Sequence, residues 1–324
     1  MATSSPTSPR WMATLRNNYG SRLQENVVLA NYTTARLGGP ADAMLVANTA
    51  DELAAFTASL WALDLPFFLL GSGANILVSD QGFRGVVILN KARNIKIDTH
   101  HTPPTVWAES GANLGTIARQ AALRGLSGLE WAATIPGTLG GAVYGNAGAH
   151  GADMQTNLVL ADILHREEGR QEWPLERMEY AYRSSALKRQ PGQAVVLAAR
   201  LKLSNGDPET IKAAMDAYSE QRRRTQPPGA SLGSMFKNPP GDYAGRLIEA
   251  AGLKGYRSGD AEISPVHANF FINHGKANAA DISQLIQTAR QKVLETSGVA
   301  LELEIELVGE WEEPRSSRKT GRGK

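Results

Sequence analysis

The chain has no cysteine among its 324 residues. That excludes disulfides, thiolate-bound zinc, iron–sulfur clusters and thiol catalysis, and it agrees with a reducing compartment. Long apolar runs are missing too. The run at residues 65–70, like every other here, falls far short of the roughly 18 residues that cross a bilayer. It contains Pro66 and reads as a buried strand, so no membrane insertion is expected. Net charge is small, at +2, and unevenly placed. Arg315, Arg318, Lys319, Arg322 and Lys324 crowd the C-terminus, and without these five the remainder carries −3. The body of the protein therefore lacks the basic surface that nucleic-acid binding requires. His100 and His101 are adjacent, and His150, His165, His267 and His274 have no ligand spacing, so no metal site is expected.

Glycine, by contrast, is clustered. Residues 136–151 (PGTLGGAVYGNAGAHG) hold six glycines, and no Asp, Glu, Lys or Arg occurs from 132 to 151. Glycine costs backbone entropy, so this density needs a reason. One reason is a backbone lying against a large flat ligand, where a Cβ would collide. Free N–H groups with few charges nearby suit a phosphate or a flavin ring. A flexible loop is the alternative, but the apolar Ile135, Leu139, Val143 and Tyr144 favour a packed segment. Ile135, Pro136, Gly137, Gly140, Gly141, Asn146, Ala147 and Gly148 are accordingly candidate cofactor-binding residues. A second small-residue turn, Gly71, Ser72, Gly73, Ala74 and Asn75, lies between two apolar strand segments. It is not the G-x-G-x-x-G fingerprint, because a strand rather than a helix follows. Alone it is equally compatible with a plain turn; beside the first cluster it would supply the second backbone surface that a dinucleotide needs.

Periodicity predicts strands over residues 43–47, 67–70, 76–78, 86–89, 95–98, 106–109, 159–165, 194–203 and 301–308. It predicts helices over 51–60, 113–123, 208–224, 243–251 and 278–296. Thr49 or Asp51 caps the first helix. Asp207 caps the third, with Pro208 at its first position and Arg222, Arg223 and Arg224 at its end. Gly252 and Gly298 stop the last two. Strands and helices mix without regular βαβ alternation, which indicates an α+β protein. Length suggests two domains, with a new unit opening near Asp207. The Ser/Thr/Pro-rich start, residues 1–20, and the basic tail, 313–324, read as disordered. The start lacks the apolar core of a secretion signal.

Three polar constellations stand out. Tyr182, Arg183, Ser184 and Ser185 place a permanent cation where it could hold a carboxylate bidentately, although an ordinary surface arginine fits equally well. Residues 231–239 (SLGSMFKNP) bring hydroxyls, Lys237 and Asn238 together. No G-x-S-x-G elbow surrounds Ser234, so it is read as a proton source or hydrogen-bond donor rather than a hydrolase nucleophile. Glu302, Glu304 and Glu306 alternate with apolar residues and should share one strand face, most simply a solvated one. His267 and Asn269 read as local structure at a turn entering a strand.

Together these residues resemble the UDP-N-acetylenolpyruvoylglucosamine reductases, flavoenzymes of peptidoglycan synthesis. The resemblance runs in order from about Thr33 to Glu310. Its markers are residues 37–42, 71–78, 135–151, 182–185, 233–239, 244–255, 267–273 and 301–309. It implies a two-lobed FAD-binding domain of the vanillyl-alcohol-oxidase (PCMH) type over residues 30–206, with lobes about 30–90 and 91–206. A C-terminal α+β substrate domain over 207–312 would follow. It implies FAD and NADPH as cofactors, hydride transfer from flavin N5 to the enolpyruvyl group, and a cytoplasmic monomer acting on small molecules. It also implies roles: Arg183 and Glu304 polarise the enolpyruvyl carboxylate, Ser234 protonates the intermediate, and Tyr182, Lys237 and Asn238 contact substrate. Three positions depart from the family pattern. Ala74 stands where the family has serine, His150 where it has tyrosine, and Glu306 where it has Arg or Lys. The short spacing from Arg183 to Ser234 resembles the subtype without a tyrosine-bearing loop insertion. A related FAD oxidase and a non-catalytic nucleotide-binding module are the competing readings.

Overall fold

The computed structural model describes residues 10–311. The expected disorder of the tail and of the first nine residues lies outside that range. The expectation of disorder through residue 20 is corrected by a helix, Arg10–Tyr19. Its Met12 and Leu15 bury against Phe56, Leu53 and Leu60 of the helix Ala50–Ala62. A Ser/Thr/Pro-rich preface hid that short amphipathic stretch.

Three sheets organise the chain. The first has the order Gln24–Val28, Pro40–Ala47, Phe83–Asn90, Phe67–Leu70. Its first pair is antiparallel and the others parallel. Helix Ala50–Ala62 covers one face, and its start is fixed by Thr49, whose side chain accepts the Glu52 N–H. The second sheet has the order Gly169–Pro174, Leu158–His165, Ala194–Lys202, Thr105–Glu109, Ile95–Asp98 and is antiparallel throughout. Helices Leu114–Ala122 and Leu139–Gly145 pack on it, and Ile117, Leu139, Val143 and Ile163 are fully buried there. The third sheet, Ala230–Ser234, Phe270–Asn273, Ala261–Ile263, Arg257–Ser258, is antiparallel. Helices Ala244–Ala250 and Ala279–Ser297 close its core with Leu247, Ile248, Leu285 and Ala289.

Two elements sit differently from the reading of the sequence. Helix Pro208–Thr225 does begin with the Asp207 cap and Pro208, but it does not open the third unit. It packs on the second, against helix Leu114–Ala122 and the turn Glu130–Ala132, and Arg222 Nη1 donates to Thr134 O at 2.7 Å. Only Ile211 of its apolar stripe is buried. The predicted final strand is also shorter, Glu306–Val308, and pairs in parallel with Ile76–Val78 of the first unit. Residues 301–305 are irregular because they bridge elsewhere, Leu303 pairing with Phe236. The chain thus returns to its N-terminal region. Val308 O accepts the Ser79 N–H at 2.9 Å, and Gly309 lies so near Gly82 that a Cβ would meet Gly82 O at 2.1 Å.

A second clasp joins the same two regions. Both Asp80 carboxylate oxygens accept N–H groups at the start of helix Ala279–Ser297, from Ala279 at 2.8 Å and Ala280 at 2.9 Å. Such charge-assisted caps at a helix N-terminus contribute about 1–2 kcal/mol. Asp80→Ala should lower the stability of the folded chain by about that amount, read as a lower denaturant midpoint. An unchanged midpoint would remove Asp80 as a structural clasp.

Candidate active site

The two glycine-rich segments face each other. A Cβ on Gly71 would lie 2.6 Å from Thr138 Oγ1, so only glycine lets the turn approach the cradle there. Gly73 has φ +64° and a Cβ would meet Tyr32 O at 2.2 Å. Its carbonyl accepts from the Thr34 N–H at 3.0 Å and from the Thr34 hydroxyl at 3.2 Å. Among the described residues, the N–H groups of Ser72, Gly73, Ala74 and Asn75 have no backbone acceptor. Four successive free donors in a tight turn suit an anion.

The cradle divides into two kinds of glycine. At Gly140 a Cβ would strike Ser110 Cβ at 2.9 Å, and at Gly148 it would strike Ala152 O at 2.7 Å, so these two are required by packing. Gly137 and Gly145 would meet no protein atom within 4 Å, and Gly141 only Thr138 Oγ1 at 3.7 Å. These three look onto open space that a side chain would fill, as a ligand cradle should. Part of the run is helical, Leu139–Gly145, held by Leu139 N–H to Ala112 O at 2.8 Å and Gly140 N–H to Ser110 O at 2.7 Å. Ile135, Pro136 and Ala147 form its flanks, and Ile135 and Ala147 pack on the second core. Asn146 is buried in the left-handed conformation that ends this helix, with its side chain wholly engaged. Its amide donates to Asp153 at 3.1 Å and Ala181 O at 3.2 Å, and its oxygen accepts from Gln155 N–H at 3.1 Å. It offers a ligand its backbone only.

Arg183 is the centre of the site. It adopts φ +54°, a conformation costly for a side-chain-bearing residue, and the Ala181–Ser184 bridge on either side enforces it. Its Nε donates to Glu304 Oε1 at 2.8 Å and its Nη2 to Gly148 O at 2.8 Å. The Arg183 and Glu304 side chains are 23% and 18% exposed, mostly sheltered but still open to a ligand. Tyr182 lies against the guanidinium, with its ring centroid 5.1 Å from the arginine carbon. Beneath, the fully buried Ser185 donates to Tyr144 O at 2.6 Å, and Tyr180 donates to Val143 O at 2.8 Å. Burial pushes the Tyr180 and Tyr144 phenols well above their ordinary range, so both stay neutral.

Glu304 ties the remaining parts together. Its carbonyl accepts from Asn75 Nδ2 at 3.0 Å, and its N–H donates to Met235 O at 3.0 Å. Asn75 O also accepts the Glu306 N–H at 3.0 Å. The Gly71 to Asn75 turn, Glu304 and the Ser234 segment are therefore hydrogen-bonded neighbours. Asn269, read from sequence as local structure, fixes that segment from its other side. Its Oδ1 accepts from Phe236 N–H at 2.9 Å, its Nδ2 donates to Phe236 O at 2.8 Å, and its carbonyl accepts Met235 N–H at 2.8 Å. Nothing in the local pattern reveals this, because the partners lie 33 residues away. Ser234 and Asn238 line a cavity of about 380 Å³, with Tyr243, Val266 and His267 also in its wall. Burial lowers the pKa of His267, which keeps it neutral near pH 7.

The expectation of a solvated acidic face holds for the exposed Glu302 and is corrected for Glu304 and Glu306, which are partly buried, and each of the three holds a cation. Glu302 pairs with Lys237, Glu304 with Arg183, and Glu306 with Lys188 at 3.2 Å. Lys237 is thus engaged outside the cavity that holds Ser234, whereas Asn238 lines it and also accepts Ala244 N–H at 3.1 Å. A smaller cavity of about 210 Å³ flanks the cradle, between Thr134, His150, Gln221 and Arg222. There His150 stacks on Tyr218 at 3.9 Å, and burial lowers its pKa.

A turn of free N–H donors, a glycine cradle open to a flat group, and a cation reaching from the cradle to a second domain define a flavin-dinucleotide protein with a separate substrate unit. Residues 41–171 match the family described as FAD binding domain, and residues 225–308 match UDP-N-acetylenolpyruvoylglucosamine reductase, C-terminal domain. The chain belongs to the UDP-N-acetylenolpyruvoylglucosamine reductase family. It is 44% identical to the reductase of Chloroflexus aggregans over 88% of this chain and 97% of that one. It is 40% identical to that of Bacillus subtilis over 91% and 97%. The solved structure of the Thermus caldophilus reductase superposes with a TM-score of 0.75 at 36% identity, covering 89% of this chain and 99% of that one. The two-lobed FAD domain with a C-terminal α+β unit, expected from the sequence, is borne out.

Arg183 donates from two different nitrogens of one rigid plane, Nε and Nη2, a spacing that the single ammonium nitrogen of a lysine does not reproduce. Arg183→Lys should lower kcat/KM for the family's enol-ether substrate about 100-fold, measured by steady-state kinetics. Wild-type kinetics would show that only the charge matters.

Proposed function

We propose that this chain is an FAD- and NADPH-dependent reductase. It would convert UDP-N-acetylglucosamine enolpyruvate to UDP-N-acetylmuramate for peptidoglycan synthesis. The observation that carries the reading is the Arg183–Glu304 pair, hydrogen-bonded at once to Gly148 of the cradle and, through Glu304, to the Ser234 segment. The same reading puts the reaction in the cytoplasm.

The free N–H groups from Ser72 to Asn75 suit the pyrophosphate of FAD. The open face along Gly137, Gly141 and Gly145 suits its ring system. FAD, when bound, supplies the hydride chemistry. The protein does the rest. Arg183 retains donors beyond those it directs at Glu304 and Gly148, and these hold the enolpyruvyl carboxylate. Glu304 keeps the guanidinium pointed there. Negative charge that develops beside the carboxylate as the double bond is reduced is stabilised where it appears. Ser234 donates its hydroxyl proton to the carbon next to the carboxylate, completing the saturation. A serine has a high pKa, but a carbanion-like centre is basic enough to take its proton. Asn238 and Tyr182 orient the substrate. Lys237 supports the same strand through Glu302.

Two variants test the reading. Ser234→Ala should leave reduction of the flavin by NADPH near normal and slow the reoxidation by the enol ether about 100-fold or more, followed by stopped-flow absorption. Equal losses in both half-reactions would refute the proton-donor role. Gly141→Ala adds a methyl group to a helical position with only an ordinary protein contact at 3.7 Å. The apoprotein should be as stable as wild type or slightly more so. FAD affinity, titrated by the quenching of its fluorescence, should fall about tenfold or more. Undiminished affinity would place the flavin elsewhere.

A further inference from the structure

We propose that Tyr243 is the stacking platform for the uracil ring of the substrate. The inference rests on the function proposed above and names the residue that recognises the far end of that substrate. Tyr243 is 69% exposed, an unusual placement for a large ring, and its side chain forms no cap to the helix Ala244–Ala250 that it precedes. It lines the same cavity as Ser234 and Asn238, and Val266, another exposed apolar side chain, lines that wall too. Two exposed apolar groups on a cavity whose polar lining includes Asn238, Arg246, Glu249 and His267 suit a flat, partly polar ring.

The backbone that carries this ring is pinned on both sides. Asp242 Oδ1 accepts the Tyr243 N–H at 2.7 Å, and Asn238 Oδ1 accepts the Ala244 N–H at 3.1 Å. Arg246 Nε donates to Asp242 Oδ1 at 2.6 Å. That guanidinium and the Tyr243 N–H hold the Asp242 carboxyl at about 2, so the brace persists at any physiological pH. A fixed backbone with a free ring is preorganised: stacking a base on it loses little further conformational entropy. Ser234, Asn238 and Tyr243 line the same cavity. One continuous cavity can therefore hold the reacting group at Ser234 and a base at Tyr243, with the diphosphate between.

The test uses the full-length FAD-loaded protein and UDP as probe, with N-acetylglucosamine 1-phosphate as a probe that lacks the base. Tyr243→Ala should weaken UDP binding about tenfold by calorimetry, and raise KM for the enol ether by a similar factor with a much smaller change in kcat. Tyr243→Phe and Tyr243→Trp should restore UDP affinity, because each supplies a ring. Binding of the base-free probe should be the same in wild type and Tyr243→Ala. UDP binding that is unchanged in Tyr243→Ala, or weakened no more than binding of the base-free probe, overturns the proposal and leaves the reductase reading intact. Wild-type protein that does not bind UDP at all overturns both.

Discussion

One guanidinium links the parts of this protein that have to act together. Arg183 reaches Gly148 in the cradle and Glu304 in the C-terminal segment, each at 2.8 Å. The pair is mostly sheltered from water, so the cost of desolvating both ions offsets much of their attraction. What the pair supplies is direction. The left-handed backbone at Arg183 sets where its side chain starts, and the bonds to Glu304 and Gly148 O set where it points. Preorganisation of that kind is worth more to a reaction than the strength of the contact itself.

The chain path follows from the same requirement. Glu304 could not reach both Arg183 and the Ser234 segment from an independent domain that merely touched the first. The C-terminal strand therefore returns to the N-terminal unit and pairs with Ile76–Val78, directly after the Gly71 to Asn75 turn. Asn75 takes hold of Glu304 O and Glu306 N–H at that junction. Asp80 clasps the start of helix Ala279–Ser297 a few residues later. Cofactor turn and substrate unit are thus bonded to each other, so that placing one places the other. The departure Glu306 fits this arrangement. It pairs with Lys188, which keeps the local charge balanced without a basic residue on the strand.

Much of this was legible in the sequence, and the reasons are local. Caps are short-range events, and Thr49, Asn113, Asp207 and Asn278 all stand where helices begin. The αL stop at Gly298 is equally local. The strands 67–70, 76–78 and 95–98 have the predicted bounds because apolar β-formers end abruptly there. The glycine cradle was visible as a compositional anomaly, but its two functions were not. Composition alone cannot separate Gly140 and Gly148, excluded from carrying a Cβ by the protein itself, from Gly137 and Gly145, which face open space. The misread features all depend on distant partners. Helix Arg10–Tyr19 exists because the helix Ala50–Ala62 gives Leu15 somewhere to bury. Residues 301–305 leave the strand pattern because Phe236 captures Leu303. Asn269, Asn146 and Asn75 have side chains whose tasks are set by groups remote in sequence.

In the proposed reaction, reducing equivalents stored on a flavin in the N-terminal cradle reach an enol ether held between Arg183 and Ser234. The most direct test is to reduce the FAD-loaded protein with NADPH in the absence of air and then add the UDP-sugar enol ether. The account predicts that the yellow flavin absorption returns at once, in proportion to the enol ether added, with one UDP-N-acetylmuramate formed per flavin reoxidised. A protein that stays bleached until oxygen is admitted would contradict it.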